Sequence, residues 1–376
     1  MADPSPEPLP PTMRALVLEA PGESLVLKTL PTPQAVQGSA VVKVLASSLG
    51  AHLRQLLSGQ VFTFPTPFVP GTRCIGRIAA LGTDATTLKL NQLVLIEPFV
   101  RGRDNPDVHI LFGGFDGPSA ASKKFMAESW RNASFAEFTR APLENCWALN
   151  EEILCGKFGY EIPELLDLGA YAVSYGGLRG IDLKAGERVI VAPATGHYSS
   201  AAVEVASAMG ANVIAASRNL ELLKKVQARH ARVEIVQFQD NVEQDTAALK
   251  QFGPVDTYID ISPGVASQST HVRSCFNALE QNGRASLMGV ITADIAIPYV
   301  SAMFKNLTIR GQYMYEREDV VGLVKLAESG ILKLGKGAGR DIVGEFGLED
   351  VERAIEAAST NTENNKSVVL TPWGKI

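Results

Sequence analysis

Glu187-Arg-Val-Ile-Val-Ala-Pro-Ala-Thr-Gly-His-Tyr-Ser-Ser-Ala-Ala-Val-Glu-Val-Ala-Ser-Ala-Met-Gly-Ala211, followed by Asn212-Val-Ile-Ala-Ala-Ser-Arg218, places two short apolar runs on either side of a small-residue turn and an apolar helical stripe. Val189 to Ala192 form a short apolar run rich in β-branched residues, the mark of a strand covered on both faces. Ala201, Ala202, Val203, Val205, Ala206 and Met209 then fall on one helical stripe, and Gly210 ends the helix. Asn212 to Ala216 is a second buried strand, so the whole reads as strand, tight turn, helix and parallel strand. The turn at the helix N-terminus is a natural anion site, because unpaired N–H groups and the helix dipole both point there.

Aligned on the helix, the G-x-G-x-x-G pattern of dinucleotide-binding turns becomes Ala194-Thr195-Gly196-His197-Tyr198-Ser199. Only the middle glycine survives, the one that lets backbone approach a pyrophosphate. Ala194 and Ser199 are small enough to keep the turn, Thr195, Ser199 and Ser200 add hydroxyl donors, and Tyr198 shapes the pocket. His197 either hydrogen-bonds a phosphate or crowds the cofactor, and the hydroxyls around it favour binding. Past the second strand, where NAD-binding proteins carry an acid for the ribose diol, stand Ser217-Arg218-Asn219. A carboxylate there repels a 2′-phosphate, whereas Ser217 and Arg218 bind one, so the expected cofactor is NADP(H). Lys224 and Lys225 add positive potential in the next helix.

A chain of 376 residues has room for two domains with their own cores. A formal net charge of −5 argues against nucleic acid or an anionic membrane as partner. No apolar run approaches the ~20 residues of a membrane span and no secretory signal is visible, so a cytoplasmic protein is expected. Cys74, Cys146, Cys155 and Cys275 form no C-x-x-C and no tight cluster, which points to reduced thiols rather than a zinc knuckle or disulfide framework. Residues 1–12 read as a disordered, Pro-rich lead-in.

From residue 13 to about 150, short strands with Gly and Pro punctuation predict a partly closed β-barrel. It carries an irregular insert, Gly102 to Ala133, with a short helix at Ser122 to Trp130. Ile162 to Gly180 predicts a helix, after which strands and helices alternate to about residue 290, the pattern of a doubly wound parallel sheet. Ile295 to Ile297 and Leu307 to Ile309 read as further strands, candidates for the edge of a homodimer together with Tyr313 and Tyr315. The tail from about 315 is expected to rejoin the barrel, ending in a helix at Leu348 to Ala358 and a strand at Ser367 to Leu370.

From about Met13 onward the chain resembles the medium-chain dehydrogenase/reductase superfamily, the zinc alcohol dehydrogenases and the zinc-free quinone and enoyl reductases. The resemblance rests on Phe68-Val-Pro-Gly-Thr-Arg-Cys-Ile-Gly-Arg-Ile-Ala-Ala-Leu-Gly82, on Leu183-Lys-Ala-Gly-Glu-Arg-Val-Ile-Val191, on the turn above and on Gly283-Arg-Ala-Ser-Leu-Met-Gly289. The insert and Gly311-Gln-Tyr-Met-Tyr315 are similar to fungal alcohol dehydrogenase-like and quinone oxidoreductase-like proteins. It implies a GroES-like β-barrel catalytic domain, residues 13–160 with 315–376, and a Rossmann-type domain, residues 161–314, in which Gly289 borders the cofactor. Zinc members would carry a Cys at Gly50, a His at Thr72 and a Glu at Arg73, so the resemblance falls on the zinc-independent branch, with no metal.

Without a metal, side-chain or backbone donors must stabilise charge developing on the substrate oxygen. His52, in the first catalytic segment of the resemblance, is the leading candidate; the competing reading is a satisfied histidine in a barrel loop. Tyr175 is the second, although a Tyr on an apolar stripe is usually core. Gly50, Thr72 and Arg73 line the expected substrate pocket, where Arg73 pairs with a substrate carboxyl or a local acid. The expected activity is NADPH-dependent reduction of a carbonyl or activated C=C bond in a small apolar molecule. The alternative is a non-redox biosynthetic enzyme or a cofactor-binding module that retains the fold.

Overall fold

Strand β10 (Arg188–Ala192) is buried from Val189 onward, and its side chains alternate between two apolar layers. In the computed structural model, which describes residues 8–230, 232–361 and 365–374, Val189 and Val191 join one core while Ile190 and Ala192 join another on the opposite face. Both faces of the sheet are therefore covered, which is the condition for parallel strands linked by helical crossovers.

Ahead of β10 come β1 (Thr12–Val17), β2 (Val26–Pro31), β3 (Ser39–Leu49), α1 (Leu53–Leu56), β4 (Cys74–Leu81) and β5 (Leu93–Ile96). Then follow β6 (Phe99–Arg101), β7 (His109–Leu111), α2 (Ala120–Glu128), β8 (Phe138–Pro142), β9 (Cys146–Ala148) and α3 (Asp167–Gly180). After β10 the chain alternates α4 (His197–Ala208), β11 (Asn212–Ser217), α5 (Leu220–Gln227), β12 (Val233–Gln237), α6 (Val242–Lys250) and β13 (Val255–Asp260). It continues through α7 (His271–Ala278), β14 (Leu279–Leu287), α8 (Tyr299–Phe304), β15 (Thr308–Gly311) and α9 (Arg317–Glu328). Last come β16 (Asp341–Phe346), α10 (Val351–Thr360) and β17 (Lys366–Leu370).

Strands β10 to β15 form a six-stranded sheet in the order β12-β11-β10-β13-β14-β15, parallel throughout. The order reverses at β10, and the crevice beyond the carboxyl ends of the strands at such a switch is where ligands bind in this architecture. A second, seven-stranded sheet runs β16-β17-β3-β4-β5-β9, with β8 paired to β3. The expected α/β fold with a Rossmann-type sheet and a second sheet is thus present, the latter as an open strand path.

Several elements depart from the sequence reading. Strand β1 begins at Thr12, inside the expected lead-in, because Thr12 pairs with Pro31; residues 1–7 of that lead-in lie outside the described residues. The helix expected from Ile162 opens as a 3₁₀ turn, Ile162–Leu166, before α3 begins. In the insert, the Ser119 hydroxyl accepts from Ser122 N at 3.1 Å and starts α2 two residues early. Ile295 to Ile297 is no strand: Pro298 leads directly into α8, and β15 takes the place beside β14. Helix α9 packs on α3, with Gly322 against the Tyr175 hydroxyl, and the second sheet is rejoined by β16 and β17.

Tyr315, expected at a dimer edge, is buried at 3% exposure, and its hydroxyl donates to Glu97 at the end of β5. Glu97 also accepts from Phe99 N at 2.8 Å and from Asn145 Nδ2 at 2.5 Å. Beside it Arg101 forks onto Glu316 with bonds of 2.5 and 2.9 Å, so the segment after β15 is clamped to the β5–β6 corner. Burial pushes the Glu97 carboxyl up to about 7, against the pull of these donors. Between its ordinary 4.5 and that value the folded state binds more protons than the unfolded chain, so unfolding free energy falls as pH rises through this window. The loss is on the order of 3 kcal/mol. Urea unfolding near pH 5 and pH 8 should show this decline in the native protein and a flatter profile in Glu97→Gln; parallel profiles would refute it.

Candidate active site in the cleft at the β10–α4 turn

The turn after β10 is pinned from both sides. Ala194, fully buried, donates its N–H to Ala216 O at 2.8 Å, and Thr195 Oγ1 meets Ser217 Oγ at 2.8 Å. Gly196 is the N-cap of α4 in extended backbone, so its role there is space rather than a left-handed turn. A Cβ on it would sit 2.9 Å from Ser199 Oγ, the hydroxyl that caps Gly196 N at 3.0 Å. Because α4 starts at His197, His197, Tyr198 and Ser199 all occupy its first turn, where amides lack intrahelical partners.

Arg218 is exposed just beyond β11, and among the described residues its side chain forms no salt bridge. Asn219 caps α5 by accepting from Leu222 N at 3.1 Å. Lys224 is paired with Glu221 at 2.9 Å. Gly289, following β14, has room for no side chain: a Cβ would lie 2.6 Å from Asp260 Oδ1 and 2.7 Å from Ser262 N.

Those neighbours belong to a buried polar cluster that the sequence reading missed. Asp260 Oδ2 accepts from Tyr258 OH at 2.7 Å and from Ser262 Oγ at 2.8 Å, and His271 Nε2 lies 2.9 Å from Ser262 Oγ and 3.2 Å from Asp260. The residue types are those of a hydrolase triad, but acid and hydroxyl meet the same ring nitrogen, so no serine–histidine–acid relay forms. A D-x-S spacing at the end of a buried strand was its one sequence signal.

From the second sheet, Arg73 reaches across to α4. Its Nη2 donates to Tyr198 OH at 3.3 Å, and its guanidinium lies 5.7 Å from the Tyr198 ring centre. Its stem also fills the space beside Gly169 of α3, where a Cβ would come 2.5 Å from Arg73 Cδ. Thr72 turns its methyl toward Gly114, and Gly50 faces open space. A cavity of about 20 Å³ in this cleft is lined by Ser48, Arg73, Asp167, His197, Arg340 and Ser367, among others. Asp167 and Arg340 had no distinguishing sequence signal, since each stands singly among ordinary polar positions.

The expected residues thus fall into two sets. Thr195, Gly196, Ser199 and Ser217 are joined at the turn, and Arg73, His197 and Tyr198 meet at the cleft. His52 and Tyr175 do not join them. His52 is exposed at the start of α1, without a side-chain capping bond, and does not line the cavity. Tyr175 is 9% exposed in the α3 core, its hydroxyl packed on Gly322 of α9, and burial pushes its pKa up. Among the described residues no group of three or more His, Cys, Asp or Glu is arranged to hold a metal ion. No helix among them is long and apolar enough to cross a membrane.

Comparison with known proteins agrees with this architecture. A family model described as zinc-binding dehydrogenase matches residues 199–329. The alcohol dehydrogenase of Rhizobium meliloti (strain 1021) is 26% identical over 332 residues, covering 85% of this chain and 89% of its own. A cobalt- and zinc-bound thermostable alcohol dehydrogenase from Pyrobaculum aerophilum superposes with TM-score 0.72 at 20% identity, over 96% of this chain and all (100%) of its own. A crotonyl-CoA carboxylase/reductase superposes with TM-score 0.76 at 14% identity, over 96% of this chain and 89% of its own. The fold is that of the alcohol dehydrogenases. Sequence and fold together support the medium-chain dehydrogenase/reductase superfamily and an oxidoreductase of the alcohol dehydrogenase type.

Gly289→Ala should cost about 1–3 kcal/mol of stability, since the added methyl meets backbone that must shift. Gly50→Ala, in open space, should be close to neutral in the same urea titration; equal effects would refute the packing role of Gly289.

Proposed function

We propose that the protein is a zinc-independent, NADP(H)-dependent oxidoreductase that reduces the carbonyl or activated C=C bond of a small apolar molecule. The observation behind this reading is the 2.8 Å hydrogen bond between Thr195 and Ser217, which ties the turn at Gly196 to the end of β11, next to exposed Arg218. A 2′-phosphate would meet Ser217 and Arg218, and a diphosphate would meet the first turn of α4. Gly50, Thr72 and Arg73 are not zinc-ligand types, so the donor set does not fit that metal.

When bound, the nicotinamide supplies or accepts hydride. The chain's own part is to orient the substrate and to hold donors against the oxygen that gains negative charge. Because Arg73 donates to Tyr198 OH, the phenol keeps its own proton for an acceptor in the cleft. Two such donors side by side in the cleft are a form of oxyanion stabilisation. His52, exposed outside this pair, is a positioning residue at most. The reading includes a homodimer through the outer strand β15, whose exposed residues adjoin exposed Tyr299 and Phe304.

Nicotinamide fluorescence titrations should show NADPH binding more tightly than NADH. Arg218→Ala should weaken NADPH by about tenfold or more, equivalent to ~1.4 kcal/mol, and leave NADH nearly unchanged. Equal losses would refute the 2′-phosphate role. Ketone and enone panels should oxidise bound NADPH, and Arg73→Ala should lower kcat on the order of 10²-fold without changing cofactor affinity. Tight binding with no turnover on any panel would favour the cofactor-binding module, and one zinc per chain would overturn the metal-free reading.

A further inference from the structure

We infer that His271, Ser262 and Asp260 are positioning residues for the nicotinamide half of the cofactor, acting through the backbone of Met288 to Val290. The inference rests on the dinucleotide reading and deepens it, since it gives a role to a cluster outside the β10–α4 turn.

Strand order decides which half of the cofactor each strand end meets. With the 2′-phosphate at Ser217 and Arg218 past β11, and the diphosphate at the turn after β10, the adenosine takes the β11 side of the switch. The nicotinamide half then extends the other way, over the ends of β13 and β14, which follow β10 in the sheet. Those two ends are laced together past the last ladder residues. Met288 N donates to Asp260 O at 2.9 Å, and Val290 N donates to Ser262 O at 2.8 Å. Gly289 lies between these bonds, where a Cβ would also meet Ser262 O at 2.8 Å. Val290 is 65% exposed, so the laced segment ends at the surface and not in the core.

Side chains of the cluster hold that segment in one shape. Buried Asp260 accepts from Ser262 N at 3.1 Å as well as from the Tyr258 and Ser262 hydroxyls. With the Ser262 hydroxyl committed to Asp260, the His271 ring donates from Nε2 to Ser262 Oγ. Its Nδ1 then accepts from the Ser269 hydroxyl at 2.8 Å, so both ring nitrogens of this buried residue of α7 have partners. A network satisfied at every member is stiff. Well-packed aliphatic side chains would join the same strand ends without burying a carboxylate, so stability alone does not call for the cluster. Fixing the Gly289 backbone does, because hydride transfer falls steeply when a bound ring is misplaced by about 1 Å.

The test compares two ligands by calorimetric titration: NADPH, and adenosine 2′,5′-bisphosphate, which has the phosphorylated adenosine and no nicotinamide. Ser262→Ala and His271→Leu should each bind NADPH about tenfold more weakly than the native protein does, and bind the bisphosphate equally well. Ser262→Ala is the smaller change and carries the test where His271→Leu does not fold. In either variant the emission of bound NADPH should move toward that of the free cofactor, as expected of a ring no longer held in one position. Unchanged NADPH affinity in the variants overturns the inference. So do parallel losses for the two ligands, since a loosened fold weakens both. A native protein that binds neither ligand refutes the dinucleotide reading, and the inference with it.

Discussion

A strand covered on both faces can show polar chemistry only at its ends, and that constraint on β10 organises the molecule. Its side chains are taken up alternately by two apolar layers, so every crossover around it must be helical and return in the same direction. The carboxyl ends of β10, β11 and β13 then open on one side. Thr195, Ser217, Arg218 and the Asp260 cluster all sit at or just beyond those ends.

The second sheet makes a cleft of that open edge. Arg73, carried beside β4, crosses to Tyr198 and needs Gly169 of α3 to be without a side chain. Glu97, Tyr315 and the Arg101–Glu316 fork hold a second crossing between the two sheets. Together these contacts bring the Arg73 guanidinium from the second sheet to the first turn of α4.

Much of the fold was legible because it depends on local pattern. The run Val189 to Ala192, the stripe Ala201 to Met209 and the strand ending in Ser217 each carry a period that only one element satisfies. Misreadings fell where a single residue decides an end or a neighbour: Ser119 moved the start of α2, and β15 left no place beside β14 for Ile295 to Ile297. The candidate site was legible in part. Turn residues such as Thr195, Gly196 and Ser217 lie within one contiguous unit, whereas His52 and Tyr175 were chosen by position alone. Exposure of the first and packing of the second on Gly322 depend on elements far away in the chain.

The parallel sheet, the turn at the start of α4 and the cationic residue beyond β11 all follow from periodicity and chain neighbours. Contacts between distant segments alone bring Arg73 to Tyr198, turn Tyr315 inward to Glu97, and bury Arg340 against Tyr171 and Ser200. These outcomes depend on which distant groups share a low-dielectric space, and separation along the chain carries no information about that.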